Sequence, residues 1–137
     1  MIAVRAKYLT ALVFAATGCG GTGATDAALE PLPEGARFRA IPGMYSVWWQ
    51  QVEQCAGQKQ DFAKVSWYYV PGTGFFDYGS SEGLSGIWLP GRNAITIAEF
   101  ALDDALIVRH EELHAILRRS DHPAQFFVEK CGDLVSH

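Results

Sequence analysis

The chain has 137 residues, of which 49% are hydrophobic and 19% are charged, and its formal net charge at pH 7 is −4. This length predicts one small domain, and the composition is typical of a globular protein and argues against a disordered chain. An acidic chain without a stripe of lysine and arginine argues against general nucleic-acid binding, so we expect no nucleic-acid partner.

Residues 1–18 have the pattern of a secretion signal. Two basic residues precede the apolar run 8–16, which is too short to span a membrane as a helix. The stretch Ala16-Thr17-Gly18-Cys19 follows and resembles the bacterial lipobox, with Ala16 where that pattern usually has leucine. The resemblance implies a lipid on Cys19 that anchors the chain in the bacterial cell envelope, outside the cytoplasm. The outer membrane is the preferred address because Gly20 is not a retention aspartate, and an ordinary cleaved signal is the alternative.

The next stretch, 19–34, is rich in glycine, alanine, threonine and proline, which is typical of a flexible tether. Residues 35–137 are then left to form the folded domain. The predicted organisation is therefore a signal peptide, a tether and one domain.

A helix is predicted over Met44–Cys55, because Trp48, Val52 and Cys55 recur at helical spacing and Gly57 suits the C-terminal end. An apolar stripe at this spacing usually faces the protein interior. We therefore expect the Trp48 side chain to pack in the core.

Three β-strands are predicted after this helix. The segments Val65–Val70, Gly86–Leu89 and Ala94–Ala98 have the composition of strands, and the turn 90–93 joins the last two into a hairpin. The segment 72–85 is rich in glycine and serine and is predicted to be a loop with aromatic anchors. Because loops often carry function, this loop is a candidate wall of a substrate cleft.

A second helix is predicted from Asp103 to Arg118, with Asp103 or Asp104 as its N-terminal cap. The side chains expected on its apolar face are those of Leu106, Leu113, Ile116 and Leu117. Helical geometry places Glu112 and Arg119 on the opposite side, which we expect to face solvent.

This second helix carries His110-Glu111-Glu112-Leu113-His114, which is an H-E-x-x-H motif. In a helix the two imidazoles project about 40° apart and lie one turn apart in height. Two neutral imidazoles placed in this way can hold one Zn²⁺, and Glu111 can accept a proton from a metal-bound water as the general base. We therefore expect Zn²⁺ as the cofactor, and a surface helix with two incidental histidines is the alternative.

The order of a helix, strands and then the H-E-x-x-H helix resembles that of the zincin metallopeptidases. The resemblance implies an α+β fold with a backing helix, a short twisted, mainly antiparallel sheet and the active-site helix. It also implies that an edge strand next to the motif pairs with an extended peptide substrate. Ile95, Thr96 and Ile97, or their hairpin partner, form the candidate edge, and a plain sheet edge or an interior strand is the alternative.

A catalytic zinc site of this kind needs a third protein ligand, and three candidates follow His114. His122 is preferred because it lies on a turn that can fold back towards the helix. Seven residues without a glycine separate it from His114, which departs from the H-x-x-G-x-x-H pattern of the metzincins. Glu129 corresponds to the glutamate ligand of the gluzincins if residues 123–131 form a helix, and Asp121 is the third option. If His122 binds the metal, Asp121 is a candidate to orient a neighbouring imidazole.

If Cys19 carries a lipid, Cys55 and Cys131 remain. Outside the cytoplasm these two thiols are expected to form a disulfide, and zinc ligation by thiolates is the alternative.

These observations together predict an envelope-anchored zinc peptidase. His110, His114 and the third ligand hold the ion, Glu111 is the base, and the partners are a peptide or protein substrate and the membrane. We expect a monomer. The alternative function is a non-catalytic, metal-binding lipoprotein that serves as a structural or protein-interaction module.

Overall fold

A computed structural model describes residues 29–136 of the chain. The predicted signal peptide, the lipidation site at Cys19 and most of the predicted tether lie outside the described residues. Within residues 29–136, no helix has the length and apolar character needed to cross a membrane.

The described part of the chain has an α+β fold. Its strands are β1 (Arg37–Phe38), β2 (Ser66–Val70), β3 (Phe76–Tyr78), β4 (Ser81–Leu84), β5 (Gly86–Leu89) and β6 (Ala94–Ala98). Its helices are α1 (Gly43–Ala56), α2 (Ala105–Leu117), a π-helical turn (Gln125–Lys130) and α3 (Gly132–Val135), with short 3-10 turns at Phe62–Lys64 and Glu99–Ala101. The larger sheet has the order β1-β2-β6-β5, while β3 and β4 form a separate hairpin. The predicted α+β class is confirmed.

The strand order corrects the prediction of the sheet edge. β6 pairs in parallel with β2 on one side and antiparallel with β5 on the other, so Ile95, Thr96 and Ile97 lie in a central strand. All five residues of β6 are buried, as expected for a strand with neighbours on both sides. The edge on that side of the sheet is the hairpin partner β5. The parallel insertion of β2 beside β6 is a long-range pairing that the local pattern of β6 does not encode.

Helix α1 confirms the predicted first helix, with a shift in its buried face. The buried residues are Tyr45, Trp49, Val52 and Ala56. Trp49 is 2% exposed and belongs to the core, whereas Trp48 is half-buried and packs against the core at its margin, so the expectation for Trp48 is met in part. The helix ends at Gly57, whose left-handed backbone lets its N–H reach the Glu53 carbonyl at 2.9 Å.

The predicted loop over residues 72–85 contains the β3–β4 hairpin, so that prediction was wrong. Phe76 is buried, and the chain turns back at Gly79, where φ is +59°. The Asp77 carboxylate accepts a hydrogen bond from the Gly83 N–H at 2.9 Å, which closes the hairpin. The glycines that suggested a loop supply the left-handed conformations that this tight hairpin requires.

The last residues of the predicted tether, 29–34, pack against the domain. The Glu30 carboxylate accepts a hydrogen bond from the Gly91 N–H at 3.0 Å, and the Tyr78 hydroxyl donates to the Pro31 carbonyl at 2.9 Å. Pro33 is buried. Residues 29–34 therefore pack as part of the folded domain, ahead of the predicted boundary at residue 35.

The main core lies between one face of the large sheet and the helices. Its members include Tyr45, Trp49, Trp67, Ile95, Ile97, Val108, Leu113 and Ile116. As predicted, Cys55 and Cys131 form a disulfide, with 5.4 Å between their Cα atoms. This bond ties α1 to the segment that follows the π-helical turn.

Candidate metal centre

Helix α2 positions the central residues of the site. Asp104 caps its N-terminus, as predicted, because one carboxylate oxygen accepts the N–H groups of Leu106 and Ile107 at 3.0 and 3.4 Å. The helix ends at Arg118, which takes a left-handed conformation with φ +57°. Every residue from 111 to 117 is buried, so this half of the helix has no solvent-facing side.

The burial of Glu112 contradicts the prediction that it faces solvent. Its side chain is 0% exposed, and neither carboxylate oxygen has a hydrogen-bond partner among the described residues. Burial raises the Glu112 pKa to about 9, and the nearby Arg109 opposes that shift. α1, α3 and β5 all pack against α2, so the side of α2 that was expected to face solvent is covered by other elements.

Three imidazoles converge beside α2. The Nε2 atom of His122 lies 2.9 Å from that of His110 and 3.2 Å from that of His114. All three Nε2 atoms can act as ligand atoms of one metal ion, because they lie within 4.8 Å of one another. In a tetrahedral zinc site with bonds of about 2.0–2.1 Å, neighbouring ligand atoms are about 3.3 Å apart, so the observed spacing fits such an ion.

The structure distinguishes the three candidates for the third ligand. It brings His122 to His110 and His114. The two oxygens of the Asp121 carboxylate instead accept hydrogen bonds from Nε and Nη2 of Arg119 at 2.8 and 2.7 Å. This contact holds the Asp121 pKa below its usual value. Glu129 is exposed on the π-helical turn and is not part of the histidine group. The expectations that Asp121 or Glu129 ligates the metal, or that Asp121 orients an imidazole, are therefore not met.

Two of the rings are held by backbone carbonyls. The Nδ1 atom of His110 lies 3.1 Å from the Val135 carbonyl oxygen, and that of His114 lies 2.7 Å from the Arg119 carbonyl oxygen. A carbonyl can only accept, so each Nδ1 carries the proton and each Nε2 keeps a free lone pair. Lone pairs that face one another at this distance repel unless a cation or a proton lies between them. The donor set therefore fits a metal ion.

Electrostatics favour the neutral imidazoles that metal binding requires. Burial lowers the pKa of His110, and it lowers the pKa of His114 to about 4, while the hydrogen bond to a backbone carbonyl opposes the shift in each case. Near neutral pH these two rings are therefore uncharged and available as ligands.

Glu111 lies at the same site, pressed against the edge strand β5. Burial raises its pKa to about 8, and a hydrogen bond from the backbone of Trp88 opposes that shift. A Cβ atom at Gly86 would come within 2.8 Å of the Glu111 Cγ and 3.0 Å of its Oε1. Glycine at position 86 is therefore what allows the strand to approach Glu111 so closely.

Two cavities flank these side chains. One has a volume of about 310 Å³, and its apolar lining residues are Leu84, Leu106, Ile107 and Val135. The other has a volume of about 380 Å³, and its lining residues include Ser81, Trp88, Pro90 and Ser120. Both cavities are lined by His110 and Glu111, and the second is also lined by His114 and His122. We refer to these two adjacent cavities beside β5 as the cleft.

Several residues that shape the site carry no signal in the sequence. Gly86 sits in an ordinary strand pattern, and the Val135 and Arg119 carbonyls belong to the backbone. Phe127, whose ring touches all three imidazoles, lies in a π-helical turn that no periodic pattern marks. Only the H-E-x-x-H spacing and the proximity of His122 in the sequence indicated the site.

Comparisons of the chain with protein-family models, with curated proteins and with solved structures found no match.

Proposed function

We propose that this protein is a zinc-dependent peptidase with a zincin-like active site formed by His110, His114, His122 and Glu111. The observation that carries the proposal is the convergence of three Nε2 atoms beside a buried carboxylate. Three protein ligands of this kind leave a fourth position for water, which is the arrangement of catalytic rather than structural zinc sites.

Zinc is the metal that best suits these ligands. Neutral imidazoles also bind copper, iron and nickel, but three histidines with an open fourth position are typical of hydrolytic zinc sites. When bound, the ion supplies Lewis-acid activation of water, which lowers the pKa of that water towards about 7. The carbonyl oxygens of Val135 and Arg119 support this role, because they fix the His110 and His114 rings with Nε2 towards the site.

Glu111 is the proposed general base. Its carboxylate takes a proton from the attacking water, the water oxygen bonds to the peptide carbonyl carbon, and the proton passes to the leaving amine as the C–N bond breaks. The carboxylate must be ionised to begin this cycle. A divalent cation beside it favours the ionised form, as does the hydrogen bond from the Trp88 backbone.

The proposed substrate is a peptide in an extended conformation. β5 is the last strand of the large sheet on this side, and it lines the cleft beside Glu111. An extended peptide can pair with a free strand edge through backbone hydrogen bonds. The apolar cavity next to His110 favours substrates with an apolar side chain close to the bond that is cleaved.

We further propose that the protein acts in the bacterial cell envelope, anchored by a lipid on Cys19. The lipobox resemblance of residues 16–19 supports this location. The disulfide between Cys55 and Cys131 supports it independently, because structural disulfides are usual in oxidising compartments.

The test combines zinc analysis with a cleavage assay. The purified chain is loaded with zinc, its metal content is measured, and it is incubated with a peptide library. We expect one zinc per chain and cleavage next to apolar residues, while Glu111→Gln keeps the zinc and loses cleavage. A chain that binds zinc but cleaves no peptide would favour the non-catalytic lipoprotein. A Glu111→Gln variant as active as the wild type would refute the role of Glu111.

A further inference from the structure

The Phe127 side chain lies against all three imidazoles of the metal centre. Its ring centroid is 5.0 Å from that of His110 and 4.7 Å from those of His114 and His122. The side chain is 3% exposed, so the three rings share one buried apolar neighbour.

We propose that Phe127 is a positioning residue that holds the imidazoles, and His122 above all, in the metal-binding arrangement. This inference rests on the zinc site proposed above. His110 and His114 each donate to a backbone carbonyl, but among the described residues no such acceptor faces the Nδ1 of His122. His122 is also exposed and lies on a turn, so the edge-on contact with Phe127 takes the place of the missing hydrogen bond.

The chain fixes Phe127 firmly enough for this role. In the π-helical turn the Cys131 N–H reaches back to the Phe126 carbonyl at 2.9 Å, and the Ser136 hydroxyl donates to the Phe127 carbonyl at 3.0 Å. The disulfide from Cys131 to Cys55 then ties the end of this turn to α1. π-helical turns widen a helix by one residue and are frequent at functional sites.

The test compares zinc affinity in Phe127→Ala, Phe127→Leu and the wild type, measured by competition with a chromophoric chelator. Loss of a group that orients metal ligands typically weakens metal binding by about 10–100-fold, and we expect such a loss in Phe127→Ala. Phe127→Leu keeps an apolar side chain and should recover most of the folding stability but only part of the affinity. The visible absorption of the Co²⁺ forms should show a distorted site in both variants.

Phe76→Ala is the matched control, because Phe76 is also a buried phenylalanine but lies in β3, outside the main core. We expect it to lower the melting temperature and leave zinc affinity unchanged. If Phe127→Ala does not fold, Phe127→Leu decides the question. Affinity within twofold of the wild type in a folded Phe127 variant would overturn this inference alone, whereas a wild type that binds no zinc would overturn the proposed function as well.

Discussion

The contact between Gly86 and Glu111 leads to a prediction that separates catalysis from metal binding. In Gly86→Ala the new Cβ would lie 2.8 Å from the Glu111 Cγ and 3.0 Å from the Cδ1 of Ile97. Carbon atoms pack at about 3.5–4.0 Å, so the Glu111 side chain must move by about 0.7 Å or more. Because a misplacement of about 1 Å can cost about 100-fold in rate, we expect turnover to fall by about 10–100-fold.

The assay measures kcat and zinc content on the same preparation, with a peptide that the wild type cleaves. Zinc content should stay unchanged, because the substitution does not touch the three histidines. Gly74→Ala is the control, since no heavy atom lies within 4 Å of its new Cβ and its backbone is not left-handed. Full turnover in Gly86→Ala would refute the placement of Glu111 as the base, and loss of zinc would show that the histidines depend on this contact.

Three further predictions concern stability and are measured by urea unfolding. Glu112→Met should raise the unfolding free energy at pH 7 by about 1–3 kcal/mol, because it removes a buried carboxyl that has no hydrogen-bond partner within residues 29–136. The native state keeps a proton on Glu112 that the unfolded chain releases above pH 4.5, so the wild type should lose stability as the pH rises from 4.5 to about 9. The Glu112→Met variant should lose less stability over this range. An equal dependence of the unfolding free energy on pH in the two proteins would contradict this. Tyr45→Phe should cost about 1–2 kcal/mol, because the Tyr45 hydroxyl donates to the buried Leu102 carbonyl at 2.6 Å. Burial raises the Tyr45 pKa to about 12, so the wild type should also lose stability as the pH rises from 10 to 12. The same loss in Tyr45→Phe would show that another group causes this pH dependence. Replacing Cys55 and Cys131 by serine should cost roughly 4–5 kcal/mol in the chain-entropy model for a separation of 76 residues, and an unchanged midpoint would argue against the bond.

Local signals in the sequence were enough to predict the elements that carry the proposed metal ligands. The Asp104 cap, the helical spacing of His110 and His114 and the turn between β5 and β6 are encoded within a few residues each. His122 was predicted as a ligand because it follows the helix closely on a turn. These features depend on short-range chemistry, and the structure places them as expected.

The features that depend on distant parts of the chain were not predictable in the same way. The sequence predicts a solvent-facing Glu112, because the pattern of a single helix carries no information about the packing of α1 against that helix. The sequence predicts β6 or its hairpin partner as the edge and does not distinguish the two, because β2, the parallel neighbour of β6, precedes it by more than twenty residues. Phe127 and Glu30 were missed because their roles come from tertiary contacts with the histidines and with the β5–β6 turn.

X-ray absorption spectroscopy of the zinc-loaded chain tests the central claim most directly. We predict one zinc ion with three imidazole nitrogens and one oxygen at about 2.0–2.1 Å, and loss of one nitrogen in His122→Ala. A shell with sulfur ligands, fewer than three imidazoles, or an unchanged shell in His122→Ala would contradict the proposed centre.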